Sequence, residues 1–291
     1  MEAEVSREGD PRRSPELAWP VWSAPVALLG ALVVATLGGL VIDIPAALVF
    51  GVKLSSSNFP PGLSIADTVV QDIGFVVVAV YCAQLGGRAV RSWQFGLRTP
   101  GAGWGRATRL IVGLLIAFIA LTAAWVALVH PGEEKTLEQL GSNEGAVLLV
   151  LSAALTCVVA PICEELLFRG YIFTALRNWR GTLPAAAVTG LLFGGVHVES
   201  APVLDLVPLA ALGFGLCLLY RYTGSLYPCM IAHSLNNSIA FAGLEGWGWQ
   251  AVVLMGAALA GIWLLVVAFK RIGLITPAVT DAAAGLARPG A

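Results

Sequence analysis

Six polar side chains stand where the chain is otherwise hydrocarbon. They fall in three runs: AALTCVVAPICEELLFRGYIF at 153–173, with Glu164, Glu165 and Arg169; LLFGGVH at 191–197, with His197; and IAHSLNN at 231–237, with His233 and Asn237. A charge at the middle of a lipid-embedded helix costs roughly 2.5–3.5 kcal/mol, so the first run alone approaches about 10 kcal/mol unless its charges are compensated. Groups of these types can together activate a water, pass a proton to a leaving group and stabilise an oxyanion. Glu164 can take a proton from water and return it. Histidine suits either proton role near neutral pH, and the neutral amide of Asn237 suits an oxyanion.

Helical spacing gives these groups a geometry. Glu165 and Arg169 are four residues apart, on one face and in the favourable order for self-neutralisation. Glu164 lies about 100° around the helix, toward another neighbour. His233 and Asn237 share a face, as do Phe193 and His197, whereas Asn236 lies off the His233 face. Pro161 has no N–H, so the Cys157 carbonyl lacks its donor and a kink is expected one turn before Glu164. At 1.5 Å per residue, Glu164 lies about 20 Å from Trp179, His197 about 20 Å from Pro184 and His233 about 18 Å from Arg221. Three helices can therefore bring these groups to one depth.

The elements that carry them are transmembrane. Of 291 residues, 57% are hydrophobic and only 12% charged, with a mean hydropathy of +0.81. Soluble domains carry about twice that charged fraction. The composition excludes a soluble enzyme, a disordered chain and a nucleic-acid binder, the last requiring a basic balance where this chain has a net charge of −1. At about 20 apolar residues per crossing, eight spans are expected: Val26–Phe50, Asp67–Ala89, Leu110–Val129, Ala146–Trp179, Leu183–Val198, Val203–Tyr220, Leu226–Gly243 and Trp249–Phe269. The fold class is all-α, a polytopic membrane bundle. Asp43 and Pro45 are expected to kink or shorten the first span. A continuous fourth helix would reach about 50 Å, which calls for the Pro161 kink and an outer end beyond the hydrocarbon.

Arg7, Arg12, Arg13, Arg88, Arg91, Arg98, Arg106, Arg109, Arg177, Arg180, Arg221, Lys270, Arg271 and Arg288 fall on one side of these spans and only Lys53 and Lys135 on the other. The positive-inside rule then places both termini in the cytoplasm. Glu133, Glu134, Glu138, Glu144, Glu199 and Glu245 take the outer side. Trp19, Trp22, Trp93, Trp104, Trp179, Trp247 and Trp249 are expected as interfacial anchors, and His130, before Pro131, as a surface residue. Five cysteines with no C-x-x-C spacing read as buried hydrophobes. Ala186, Gly190 and Gly194 form a small-residue stripe that admits a close helix and would help bring His197 against the carboxylate helix. The division expected is a disordered tail at 1–24, helices 1–3 at 25–145, a core of helices 4–7 at 146–243, a last helix at 244–272 and a second tail at 273–291.

Other readings fit the same residues. Glu165–Arg169 can simply brace two helices, a lone intramembrane histidine can be a packing residue, and Asn237 an interhelical hydrogen bond. Glu164, His197 and His233 offer one carboxylate and two imidazoles, a set resembling the three-ligand shell of a catalytic zinc, although no H-E-x-x-H segment is present. An ion- or proton-coupled transporter would use such a cluster as a pathway, but inverted repeats and paired broken helices are not apparent. A non-catalytic membrane scaffold is the third class.

Glu164-Glu165-Leu-Leu-Phe-Arg169, Phe193-Gly-Gly-Val-His197 and His233-Ser-Leu-Asn-Asn237 resemble, in order, the E-E-x-x-x-R, F-x-x-x-H and H-x-x-x-N motifs of the CPBP intramembrane proteases. That group, also called Abi or CAAX-protease, includes the CAAX prenyl endopeptidases. The resemblance covers about 100 residues, Ala146 to Gly243. It implies an intramembrane endopeptidase, glutamate-dependent or metal-dependent, in which Glu164 assisted by His197 activates water and His233 with Asn237 stabilises the oxyanion. Glu165, Arg169 and Phe193 are then supporting residues. If the enzyme needs a divalent metal such as zinc, Glu164, His197 and His233 would hold it. The implied substrate is a membrane-anchored peptide or protein, and the implied setting is a bacterial plasma membrane, with no nucleic acid involved.

Overall fold

Apolar runs that must satisfy their own backbone polar groups fold as helices. In a computed structural model, residues 19–51, 60–85, 90–130, 140, 142–198 and 200–275 are described. The tails beyond them lie outside the described residues, as do Arg7, Arg12, Arg13, Lys53, Arg88, Glu133, Glu134, Lys135, Glu138, Glu199 and Arg288 of the orientation argument. Among the described residues there are eight helices and no strand: α1 (Ser23–Phe50), α2 (Pro61–Gln84), α3 (Trp104–Val129), α4 (Ala146–Arg180), α5 (Thr182–Gly195), α6 (Leu206–Thr223), α7 (Leu226–Leu244) and α8 (Gln250–Arg271). Six helical stretches are long and apolar enough to cross a bilayer: α1, α2, α3, α4, α8 and the stretch Val203–Thr223 that contains α6. The eight expected spans thus appear as eight helices, six of which are long and apolar enough to cross on their own. The other two are α5, with only 14 residues, and α7, which carries His233, Asn236 and Asn237.

Two expectations are corrected. α1 is not shortened at Asp43 or Pro45: it continues past both and closes at Gly51, whose left-handed φ of 67° suits a residue without a Cβ. Trp19 is buried, with its ring 5.1 Å from Phe95 and 4.7 Å from Tyr171. Trp22, Trp104, Trp179 and Trp249 are exposed, as interfacial anchors would be. His130 is exposed at the end of α3. All five cysteines are buried and unpaired.

α4 is the axis of the bundle. Its inner half is enclosed by α1, α2, α5, α6 and α7, and Leu166 to Leu176 are all buried. The 35-residue helix departs from α geometry in two π-helical stretches, Leu155–Val159 and Leu166–Phe173. In the first, the Ala160 N–H reaches back five residues to Leu155 O. Such π turns commonly mark functional positions in helices.

The small-residue stripe packs against α6 and not against α4. A Cβ on Gly190 would come within 2.6 Å of Ala210 O and 2.8 Å of Phe214 N, and one on Gly194 within 2.6 Å of Leu206 O. These are backbone atoms, so the helices themselves would have to part. Gly190→Ala is expected to destabilise the protein by about 1–3 kcal/mol, read as a lowered unfolding temperature in detergent. Gly113→Ala, which meets nothing within 4 Å, is expected to leave that temperature near the wild-type value.

Candidate active site

α4 carries three ionisable groups into the bundle interior. Glu165 and Arg169 have no solvent exposure and Glu164 only 8%. Arg169 Nη1 donates to Glu165 Oε1 at 2.8 Å, closing the pair that the spacing requires. Arg169 Nη2 donates to Gly213 O on α6 at 3.1 Å, and the guanidinium carbon lies 4.4 Å from the centroid of the Phe193 ring. The cation is thus held by a carboxylate, a carbonyl and an aromatic face.

Glu165 does more than neutralise Arg169. His233 Nδ1 donates to the same Glu165 Oε1 at 2.8 Å. With Nδ1–H committed to the carboxylate, the ring presents Nε2 toward Glu164, whose Oε2 is 3.9 Å away. That separation is too long for a direct hydrogen bond. Glu164 Oε2 has no hydrogen-bond partner among the described residues.

His197 sits in the turn just beyond Gly195, past the end of α5, where the span had been expected to continue to Val198. Its Nδ1 is 2.7 Å from Phe193 O. A carbonyl only accepts, so Nδ1 carries the hydrogen and Nε2 keeps its lone pair in the neutral ring. The two histidines therefore share a design in which one nitrogen is anchored and Nε2 is left for chemistry. Phe193 joins them: its ring lies 5.0 Å from that of His197 and 5.6 Å from that of His233, and edge-on to Phe168 at 5.2 Å.

The backbone around Pro161 explains the polar residues of α7. A proline there deprives Cys157 O of a donor in an α turn and Thr156 O in a π turn. α7 supplies both: Ser234 Oγ donates to Cys157 O at 2.6 Å and Asn237 Nδ2 to Thr156 O at 2.9 Å. Asn236 Nδ2 lies 3.4 Å from Asn237 Oδ1. One N–H of the Asn237 amide is thus engaged with α4, and the second remains for another acceptor. Ser234→Ala strands a buried carbonyl and is expected to destabilise by about 1–3 kcal/mol, measured as loss of thermal stability in detergent.

Spacing alone did not find the Glu165–His233 bond, the Ser234 bond or Asp72 of α2. Asp72 is a carboxyl at 1% exposure on α2, which packs against the stretch of α4 that includes Glu164. The signal for Asp72 was available, since it is an acidic residue in an apolar span. Among the described residues no three His, Cys, Asp or Glu side chains converge as a metal-ligand set. Glu164, His197 and His233 thus do not form a ready three-ligand shell.

Comparison with known proteins agrees with the motifs. Residues 146–239, within the Ala146–Gly243 segment that carries the three motifs, match the family described as type II CAAX prenyl endopeptidase Rce1-like. A Mycoplasma capricolum protein named only as uncharacterized is 33% identical over 95 residues, 32% of this chain and 27% of that protein. The Bacillus subtilis protein named "Putative membrane peptidase YdiL" is 29% identical over 139 residues, 44% of this chain and 55% of that protein. The matched stretches thus span about a quarter and about half the length of these relatives. No solved structure matches the chain.

Proposed function

With the match of residues 146–239 to the Rce1-like CAAX prenyl endopeptidases as premise, we propose that the protein is an intramembrane endopeptidase of a bacterial plasma membrane. It cleaves a peptide bond in a membrane-associated substrate. The observation that carries this reading is a buried Glu164 carboxylate with a free oxygen, facing the Nε2 of a histidine whose Nδ1 is fixed by Glu165.

The 3.9 Å gap between Glu164 Oε2 and His233 Nε2 suits a water hydrogen-bonded to both. Glu164, assisted by the free Nε2 of His197, takes a proton from that water, and the hydroxide attacks the scissile carbonyl carbon. The carbonyl π bond opens to an oxyanion. His233, protonated at Nε2, and the second N–H of Asn237 stabilise it. Glu164 then returns its proton to the leaving nitrogen as the C–N bond breaks. Arg169 pairs with Glu165, and Glu165 orients His233 much as a carboxylate orients the histidine of a hydrolytic triad.

The test is a cleavage assay in liposomes with a library of membrane-tethered peptides, half carrying a prenylated cysteine near the C-terminus. Hydrolysis by the wild type supports the reading, and a preference for the prenylated half assigns CAAX-type specificity. Substrate flux without any peptide-bond cleavage would replace it with a transporter.

A further inference from the structure

The two ends of the bundle are built differently. At one end, Trp19 before α1 packs its ring on Phe95, which precedes α3, and on Tyr171 of α4. The chain from Phe95 to Gly101 is stitched across the α6–α7 turn. Leu226 N donates to Gly96 O at 2.8 Å, Gly101 N to Thr223 O at 3.0 Å and Arg98 Nε to Gly224 O at 2.8 Å. The approach is close enough that a Cβ on Gly96 would meet the Tyr220 ring at 2.5 Å, and one on Gly170 of α4 the Phe95 carbonyl at 3.2 Å. This end is closed over the buried half of α4.

The opposite end dips. α5 starts at the closed end and has only 14 residues, about 21 Å at 1.5 Å per residue, against a hydrocarbon core of about 30 Å. His197, in the turn after α5, therefore stops about 9 Å short of the far boundary. A neighbouring helix gives a second measure of that depth. Trp125 Nε1 of α3 donates to Leu204 O in the α5–α6 connection at 2.9 Å, and Trp125 stands four residues before the end of α3 at Val129. Below this dip, Gly195 is exposed, and His197, Thr156, Ala160 and Asn237 are half-buried. Charge then assigns the sides. Among the described residues, every Lys and Arg except Arg169 falls toward the closed end, while Glu144 and Glu245 lie toward the open one, so the closed end is cytoplasmic.

We propose that the candidate site opens to the outer face of the membrane, through a well above the short α5, and takes membrane proteins whose scissile bond lies in an extended segment at the outer edge of the bilayer. The inference rests on the endopeptidase reading for its substrate class, though not for its sidedness. An extended chain covers about 3.3 Å per residue, so roughly three residues carry a tethered segment from that edge to the depth of His197. A segment presented at the cytoplasmic face meets the closed end instead.

Single cysteines report the sides in the full chain, because all five native cysteines are buried. A Cβ at Gly195, or at Gly105 near the inner end of α3, meets nothing within 4 Å. A membrane-impermeant maleimide is expected to label Gly195→Cys at least tenfold faster in right-side-out than in inside-out vesicles, and Gly105→Cys the reverse. Labelling of Gly195→Cys from the inner side or from neither, or of Gly105→Cys from the outer side, overturns the proposal. An acyl-anchored peptide added to vesicles of the wild type is then expected to be cleaved at least tenfold faster when they are right-side-out. Equal cleavage, or cleavage favoured in inside-out vesicles, overturns outer access and leaves an endopeptidase. Labelling as expected with no cleavage in either orientation overturns the endopeptidase reading and leaves the outward well standing.

Discussion

Glu164→Gln is expected to reduce peptide hydrolysis by roughly 10²–10⁴-fold, the range associated with a positioned general base, while membrane insertion and unfolding temperature stay near wild type. The substitution keeps the shape of the side chain and removes only its capacity to take a proton. Glu164 Oε2 has no hydrogen-bond partner among the described residues, and the nearest basic group, the His233 ring, stands 3.9 Å off, so little of the fold depends on its charge. Its neighbour behaves differently, and that contrast makes the measurement informative. If Glu164→Gln cleaves tethered peptides at the wild-type rate, the water-activating role is wrong, whatever the family resemblance.

Glu165→Leu is expected to be the most destabilising single change at the site. It leaves the fully buried Arg169 without its counter-charge, a situation that costs about 3–5 kcal/mol. Activity falls with it, because His233 Nδ1 loses its acceptor. Adding Arg169→Met removes the stranded cation, and the double variant is expected to regain most of the lost stability, since apolar replacement of a buried pair is often neutral or better. It is not expected to regain activity, because His233 still lacks the carboxylate that aims it. Thermal unfolding in detergent and cleavage in liposomes read the two effects separately. Recovery of both would reduce Glu165–Arg169 to a brace between helices, the plain reading of its spacing.

Much of the architecture was legible because lipid simplifies the code. Apolar length gave the helices, and the cost of charge in hydrocarbon singled out Glu164, Glu165, Arg169, His197 and His233 without reference to any relative. The missing N–H of Pro161 identified one carbonyl in need of a donor, and Ser234 supplies it. Contacts between helices were less legible, because pairing within a helix follows from 3.6-residue periodicity whereas pairing across helices depends on how each is rotated. Hence the spacing shows the Glu165–Arg169 pair but not that Glu165 also holds His233, and it shows that the Gly190 stripe admits a close helix but not that the helix is α6. Of the eight helices, α5 is short and α7 carries polar residues that its neighbours bury, so length and apolar composition alone mark only the other six.

The five-residue hydrogen bond at Leu155–Ala160 sets the rotational phase of everything downstream in α4. A π turn accommodates one residue more than the α turn it interrupts, and each residue advances a helix by about 100°. Losing that extra residue would swing Glu164 and Glu165 away from α7 by about that angle while preserving every motif. For this segment, then, the spacing between Ala146 and Glu164 is as much a determinant of the chemistry as the glutamates themselves, and single-residue insertions or deletions there should be far less tolerable than substitutions.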